Sequence, residues 1–176
     1  MSKLFISAEQ VSNDTYLRIF DAYITKSNVR PSNLSNLNNQ IKLTLQGEKY
    51  NFTSGFHAYE DLNILNTSDR YQFILPYYNF ETSFEQTNLN GSFTFNSSGS
   101  NNLSETNNLK SNIINNLNYS EVYITNFGFN NNYNAYFKNL NSLGKKNLDY
   151  KSSPQIEFVS LFEANTSLPL IKQNQY

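Results

Sequence analysis

Residues 41–62 alternate apolar and polar side chains, and this period constrains the fold more than any other feature of the sequence. The first arm runs Ile41, Lys42, Leu43, Thr44, Leu45 and Gln46. After a turn at 47–49, the second arm sets Tyr50, Phe52, Phe56 and Ala58 against Asn51, Thr53 and His57. A period of two residues is typical of a strand with one apolar face. We therefore predict an antiparallel hairpin, 37–46 with 50–59, whose apolar face must be buried against protein or against lipid.

The same two-residue period recurs along most of the chain. It predicts further strands at 4–11, 69–86, 92–100, 110–125, 131–144 and 153–170. Residues 108–119 place Leu109, Ile113 and Leu117 at a helical spacing, but five asparagines in this window oppose a helix, so we expect a strand. The expected fold class is all-β, a long antiparallel meander of seven to nine strands that forms one domain over 1–176.

Pro76 interrupts the predicted strand 69–86. A proline lacks the N–H that a β-ladder needs, so inside a strand it indicates a bulge or an edge. On simple alternation, the aromatic and aliphatic residues expected to share one face of this strand are Tyr71, Phe73, Leu75 and Tyr77.

The composition excludes several classes of function. Thirteen basic residues balance 14 acidic ones, which gives no electrostatic case for nucleic acid as a partner. The chain has no cysteine and only one histidine, His57, so we expect no catalytic residue, no metal site and no cofactor. His57 lies on the polar side of its predicted strand, where we expect it to be a hydrogen-bonded lumen or loop residue. The sequence also contains no apolar stretch of 18 residues that would predict a transmembrane helix.

Two features favour a partial transmembrane β-barrel over a soluble sandwich. The predicted strands run to about 10–14 residues, close to the length that spans a bilayer. Their polar face carries Asn, Ser, Thr and Gln rather than charges, as in a wet lumen. The turn at 47–49 is short, and the polar segment 101–108 is expected to be a longer loop. A soluble β-sandwich, or a fibre or adhesin module, remains the alternative.

If the sheet is part of a barrel, its two faces have different partners. The predicted lumen-facing residues, whose hydroxyl, amide and ammonium groups suit sugars and phosphates, are Lys42, Thr44, Gln46, Asn51, Thr53, Asn134 and Lys138. The predicted lipid-facing residues are Ile41, Leu43, Leu45, Phe52, Phe56, Tyr133 and Phe137.

Five stretches carry a resemblance to a known family. In chain order they are EQVSNDTYLRIF (9–20), SDRYQFILPYYNF (68–80), ETNNLKSNIINNLNY (105–119), GFNNNYNAYFKNLNS (128–142) and YKSSPQIEFVSLFEANTSLPL (150–170). This ordered set resembles the β-barrel domain of the LptD family, the lipopolysaccharide-assembly proteins of Gram-negative outer membranes, in its alphaproteobacterial form. On this resemblance the chain covers the early part of the barrel, and the N-terminal jellyroll and the C-terminal half of the barrel are absent.

The resemblance implies a role in transport rather than in catalysis. A protein of this family inserts lipopolysaccharide into the outer leaflet of the cell outer membrane, and no bond is made or broken. The implied partners are lipopolysaccharide, an LptE-like lipoprotein plug, outer-membrane lipid and, through the jellyroll, the periplasmic Lpt bridge. The alternatives are a porin-like barrel and an outer-membrane phospholipase or protease. The enzyme reading would require a Ser–His or Asp–His arrangement, and His57 lies in no such motif.

Overall fold

Eight antiparallel strands follow one another in a single sheet, so that each strand pairs with its neighbours in the sequence. The computed structural model describes residues 1–24, 33–64, 68–85, 90–105 and 107–169. The strands are β1 Ser2–Ser7, β2 Asn36–Gln46, β3 Tyr50–Asp61, β4 Tyr71–Glu85, β5 Ser92–Ser104, β6 Asn108–Ile124, β7 Asn130–Lys145 and β8 Gln155–Ser167. The sheet is open, since β1 and β8 pair on one side only. The all-β class, the meander and the number of strands agree with the prediction.

Helical structure is limited to the connections. Two single-turn helices, α1 Tyr16–Ile19 and α2 Asp21–Ile24, follow β1, and a 3₁₀ turn at Ser68–Arg70 precedes β4. Residues 108–119, with their helical spacing of leucine and isoleucine, lie within β6 and are extended. No helix in the described part of the chain is long and apolar enough to cross a membrane.

The register is continuous over most of the sheet and fixes which residues share a face. In the opening hairpin Leu45 pairs with Phe52, and Leu43 pairs with Ser54. Paired residues point to the same side of an antiparallel ladder, and successive residues along a strand point to opposite sides. One face of the sheet, the apolar face, therefore carries Leu43 and Phe52, and the other, the polar face, carries Thr44 and Thr53.

A bulge at Pro76 reverses the alternation in β4. Ile74 pairs with Asn102 of β5 and Tyr77 pairs with Ser100, so that two residues of β4 lie opposite a single residue of β5. The prediction that Tyr77 shares a face with Tyr71 and Phe73 is therefore wrong. Beyond the bulge, Tyr77 lies on the polar face.

Two further boundaries differ from the prediction. β1 ends at Ser7, not at residue 11, and Val11 instead packs near the small core at the end of the sheet. The segment 101–108 is not a long loop, because β5 runs to Ser104 and β6 begins at Asn108. Glu105 and Asn107 both adopt positive φ angles, of 44° and 90°, which is how the chain reverses direction in so few residues.

The connections are unequal at the two ends of the sheet. At one end, the short-turn end, the links are 47–49, 86–91 and 125–129. At the other, the long-loop end, they are 8–35, 62–70, 105–107 and 146–154. Three of the four links at the long-loop end are longer than any link at the short-turn end, and the fourth, 105–107, is as short as 47–49. An inequality of this kind is typical of outer-membrane barrels.

The described residues form no second layer over the apolar face along its length. Among the described residues, the buried apolar core consists only of Leu17, Leu37 and Leu62, with Val11 and Leu34 packed against it. This cluster sits at the long-loop end, where the β1–β2 connection meets β2 and β3. The chain exposes 13091 Å², whereas a compact monomer of 20.3 kDa exposes about 8,800 Å². The fold is a single-layer β-sheet with a small cap at its long-loop end.

Candidate functional surface: the two faces of the sheet

The register places all seven residues of the predicted lipid-facing set on the apolar face. Four of them, Ile41, Leu43, Phe56 and Phe137, remain between 37% and 53% exposed. Side chains of this kind inside a protein core would be nearly inaccessible. The apolar face is therefore uncovered, and whether lipid contacts it stays a prediction.

All seven residues of the predicted lumen-facing set lie on the polar face. Between them the middle strands add further hydroxyl and amide groups. One row of paired residues across this face comprises Thr53 of β3, Asn79 of β4 and Ser98 of β5. The next row on the same face, two residues nearer the short-turn end, comprises Asn51, Glu81, Asn96, Asn116 and Lys138. The result is a broad field of short polar side chains with few charges, and its role as a lumen stays a prediction.

His57 belongs to a stacked group on the polar face. Its ring lies parallel to that of Tyr59, with ring centroids 5.4 Å apart, and its centroid is 5.0 Å from that of Tyr77. Nδ1 is 3.3 Å from Oδ1 of Asn38 and 3.2 Å from the hydroxyl of Tyr59. These neighbours are amide and phenol groups, and within the described residues no carboxylate hydrogen-bonds the imidazole. The group is a polar aromatic surface.

A ladder of hydrogen-bonded amides crosses the apolar face on β5, β6 and β7. Ser97 donates from Oγ to Oδ1 of Asn115 at 2.7 Å, and Asn115 donates from Nδ2 to Oδ1 of Asn139 at 3.0 Å. Asn141 donates to the same Asn139 oxygen at 2.7 Å, and the hydroxyl of Tyr78 lies 3.1 Å from Ser97 Oγ. This ladder has no signal in the sequence pattern, because only the register brings side chains of four strands together.

On β7 the ladder borders an apolar band whose position along the strands shifts between β2 and β7. On β2 the band comprises 41–45, centred on Leu43, and on β7 it comprises 133–137. Yet Leu43 is not level with 133–137. The residues level with Leu43 on the succeeding strands are Ser54, Tyr78, Gly99, Ile113 and Asn141. Between β2 and β7 the band therefore moves by about six residues toward the short-turn end, as it does where tilted strands cross a flat slab. β8 does not follow this shift, since the exposed Ile156 pairs with Asn141.

An ion cluster fastens the β1–β2 connection to the sheet at the long-loop end. Arg70, whose side chain is 7% exposed, donates to both carboxylate oxygens of Asp14, at 2.7 and 3.0 Å, and through Nε to Glu60 at 2.7 Å. The hydrogen bond from Arg70 lowers the pKa of Asp14 below its ordinary value. The hydrogen bonds that Arg70 donates to Asp14 and Glu60 raise the pKa of Arg70 further above its already high ordinary value.

Neighbouring contacts extend this cap. Glu9 receives a hydrogen bond from the backbone N–H of Asn38 at 2.7 Å, and the Glu9 N–H donates to Oδ1 of Asn39 at 2.7 Å. Sequence alternation carried no signal for these contacts, because Glu9, Asp14 and Arg70 lie outside the strands. The cap holds the β1–β2 connection against the start of β2.

The described residues include no group of three or more His, Asp or Glu side chains placed to hold a metal ion. No protein-family model matches the chain, and no curated protein matches it. The two faces and the cap are therefore the features from which a function has to be argued.

Proposed function

We propose that this chain forms part of the wall of an outer-membrane β-barrel of the LptD type, through which lipopolysaccharide reaches the outer leaflet. In this proposal the apolar face contacts membrane lipid and the polar face borders the path of the sugars. The observation that carries it is the apolar face, on which Leu43, Phe56 and Phe137 are exposed and which no layer formed by residues 1–24, 33–64, 68–85, 90–105 and 107–169 covers. In water, such a surface would drive aggregation or association.

The diagonal course of the apolar band supports the membrane part of the proposal. Strands of a barrel tilt by about 35–45°, so a flat bilayer meets each strand at a different height along its sequence. On β7 the amide ladder then lies beyond the band on the long-loop side, where Asn139 accepts hydrogen bonds from Asn115 and Asn141. The unequal connections would place the long-loop end outside the cell and the short-turn end in the periplasm.

The chemistry of the polar face supports the transport part. A sugar that passes along this face comes within hydrogen-bonding distance of many hydroxyl and amide groups. These groups offer many weak contacts of similar strength and no single deep binding site. Lys42 and Lys138 add positive point charges suited to the phosphates of lipid A and the core. Lipopolysaccharide, an LptE-like plug and the periplasmic Lpt bridge are the partners of this proposal. A porin-like barrel uses the same wall, and the five ordered stretches of sequence favour the LptD type over it.

The membrane assignment is tested by a matched pair of charge substitutions. Leu43→Arg places a guanidinium on the apolar face, and Thr44→Arg places it one residue away on the polar face. After folding into phosphatidylcholine vesicles, Leu43→Arg is expected to lose about 2–4 kcal/mol of folding stability, and Thr44→Arg less than about 1 kcal/mol. Equal losses for the two variants, or a chain that is a stable monomer in water without detergent, would contradict a lipid-facing surface.

The transport assignment is tested by site-specific photo-crosslinking in cells. A photoreactive amino acid at Thr53, on the polar face, is expected to capture lipopolysaccharide only while ATP is available to drive transport. The same amino acid at Phe52, on the apolar face, is expected to capture membrane lipid whether or not ATP is present. If the probe at Thr53 captures no lipopolysaccharide while the probe at Phe52 still captures lipid, the chain is part of a membrane barrel but not of the LptD type. A porin-like function would then be favoured.

A further inference from the structure

The β1–β2 connection carries an apolar stripe that the described residues do not cover. Its four members, Tyr16, Ile19, Phe20 and Tyr23, are between 41% and 78% exposed. The spacing i, i+3, i+4 and i+7 places side chains on one side of a helical segment, and such a stripe usually packs against a core. We propose that this exposed stripe is a membrane-interface anchor, which lies among the lipid head groups and the first methylene groups of the acyl chains. The inference rests on the membrane part of the proposed function.

Backbone and ring contacts hold the exposed stripe in place. The N–H of Phe20 bonds to the C=O of Tyr16 at 3.1 Å, and the N–H of Tyr23 bonds to the C=O of Phe20 at 2.9 Å. The rings of Tyr16 and Phe20 lie side by side, with centroids 4.7 Å apart. Leu17 packs instead into the small core and is 3% exposed. The connection is therefore amphipathic, with one side on the sheet and an aromatic side turned outward.

The connection lies on the same side of the sheet as the apolar face. Leu17 packs with Leu37 of β2, and the N–H of Glu9 donates to Oδ1 of Asn39 at 2.7 Å. Leu37 and Asn39 share a face with Leu43, because all three are odd-numbered residues of one strand. The exposed stripe is therefore on the side that contacts lipid in the proposed barrel, and not over the polar face.

The position of Leu37 along β2 places the connection at the border of a bilayer. Leu43, the centre of the apolar band on β2, is six residues from Leu37, which corresponds to about 20 Å along a strand. A tilt of about 40° reduces this distance to a height of about 15 Å. The apolar band of an outer-membrane barrel is about 25 Å tall, so its border lies about 12 Å from its centre. The connection packed on Leu37 therefore lies at the level of the head groups.

The size and chemistry of the exposed stripe favour lipid over a protein partner. Large side chains bury about 150–250 Å² each, so the fraction that these four members expose amounts to roughly 450 Å². A stable protein interface buries about 800 Å² on each partner. Tyr16 and Tyr23 each combine an apolar ring with a hydroxyl that stays hydrated, and tyrosine is enriched at both interfaces of a membrane. The occupant is therefore the interfacial layer of membrane lipid.

The absence of tryptophan from the sequence allows a test by fluorescence. The full chain carries one tryptophan, as Tyr23→Trp in the exposed stripe, Leu43→Trp in the apolar band or Tyr136→Trp on the polar face. Each variant is folded into phosphatidylcholine vesicles with bromine either near the carbonyl end or near the methyl end of the acyl chains. Tyr23→Trp is expected to be quenched more strongly by bromine near the carbonyl end, and Leu43→Trp by bromine near the methyl end. Tyr136 is 40% exposed, so Tyr136→Trp is the matched control, and we expect neither bromine position to quench it.

The outcomes separate the anchor from the proposed function. Far-UV circular dichroism first confirms that each variant is folded. If Leu43→Trp is quenched and Tyr23→Trp is not, the anchor is overturned while the membrane assignment of the sheet stands. The anchor is also overturned if Tyr23→Trp is quenched most by bromine near the methyl end, or no more than Tyr136→Trp. If no variant is quenched, the membrane part of the proposed function fails, and the anchor fails with it.

A second reporter tests the stripe as a whole. Ile19→Trp is expected to show the same depth of quenching as Tyr23→Trp, because the two side chains belong to one exposed stripe. An Ile19→Trp variant that lipid does not quench would overturn the stripe as the surface that contacts the membrane.

Discussion

Arg70 and Asp14, 56 residues apart in the chain, are joined by two hydrogen bonds from the guanidinium to the two oxygens of one carboxylate. Paired bonds of this geometry fix orientation as well as distance. Arg70 also reaches Glu60 near the end of β3, so one side chain links the β1–β2 connection, β3 and the start of β4. The cap over Leu37 and Leu62 therefore depends on a polar anchor as well as on its small apolar core.

Replacing Arg70 with methionine is expected to destabilise the fold by about 1.5–3 kcal/mol, since hydrogen bonds to charged groups are lost at a nearly inaccessible side chain. The chain has no tryptophan, so urea unfolding is followed by far-UV circular dichroism in detergent. Lys110→Met is the matched control. Lys110 pairs with Asp149 at 2.8 Å, but both side chains are well exposed, and such pairs contribute less than about 1 kcal/mol. Equal losses of unfolding free energy from Arg70→Met and Lys110→Met would show that the Arg70 contacts stabilise the fold no more than an exposed ion pair does.

Acid is expected to release the same anchor. Arg70 holds the pKa of Asp14 below its usual 3.8, so the folded state favours the carboxylate more than the unfolded state does. The resulting stability is fully present above pH 3.8 and is lost as the pH falls through the lowered pKa. The urea midpoints of the native chain and of Asp14→Asn should therefore differ near pH 7 and converge below that pKa. A difference that stays constant from pH 7 to pH 2.5 would contradict the assignment.

The alternation of side chains was enough to predict the faces of β2, β3 and β7, because a period of two is a local property of the chain. It failed in β4 beyond Pro76. There an extra residue moved Tyr77 to the polar face, and alternation alone cannot show how the neighbouring strands accommodate a bulge. It also failed at 101–108, where Glu105 and Asn107 adopt positive φ angles that make a tight turn from a polar sequence.

The other features that the sequence pattern did not predict depend on contacts between segments that are distant in the chain. The ladder that includes Asn115 and Asn139 requires the register of the middle strands, and the Arg70–Asp14 pair requires a connection to fold back on the sheet. Neither has a sequence period. The diagonal band is an intermediate case, since its apolar runs were visible strand by strand, but their relative heights followed only from the pairing of each strand with the next.

Gly55→Ala is expected to destabilise the sheet by about 1–3 kcal/mol through overpacking. A Cβ at this position would collide with the backbone carbonyl oxygen of Ile41 and lie 2.8 Å from the hydroxyl of Tyr77. The strand backbone cannot move aside without disturbing the β2–β3 ladder. Gly91→Ala is the comparison, because the atoms nearest to its Cβ belong to the side chain of Tyr119, which can rotate. Urea unfolding of both variants measures the difference, and an unchanged midpoint for Gly55→Ala would show that the strands separate easily at the bulge.

The diagonal band makes a prediction that separates a tilted sheet in a bilayer from an apolar stripe perpendicular to the strands. Phe137 lies within the β7 part of the band, whereas Asn141 is level with Leu43 of β2 but outside the band. In vesicles, Phe137→Arg is expected to reduce folding stability by about 2–4 kcal/mol, as at a bilayer midplane, and Asn141→Arg by less than about 1 kcal/mol. Both are measured by reversible urea unfolding from the same vesicles. If the membrane crossed the sheet perpendicular to its strands at the height of Leu43, Asn141→Arg would have the larger effect, and the tilt inferred from the register would be wrong.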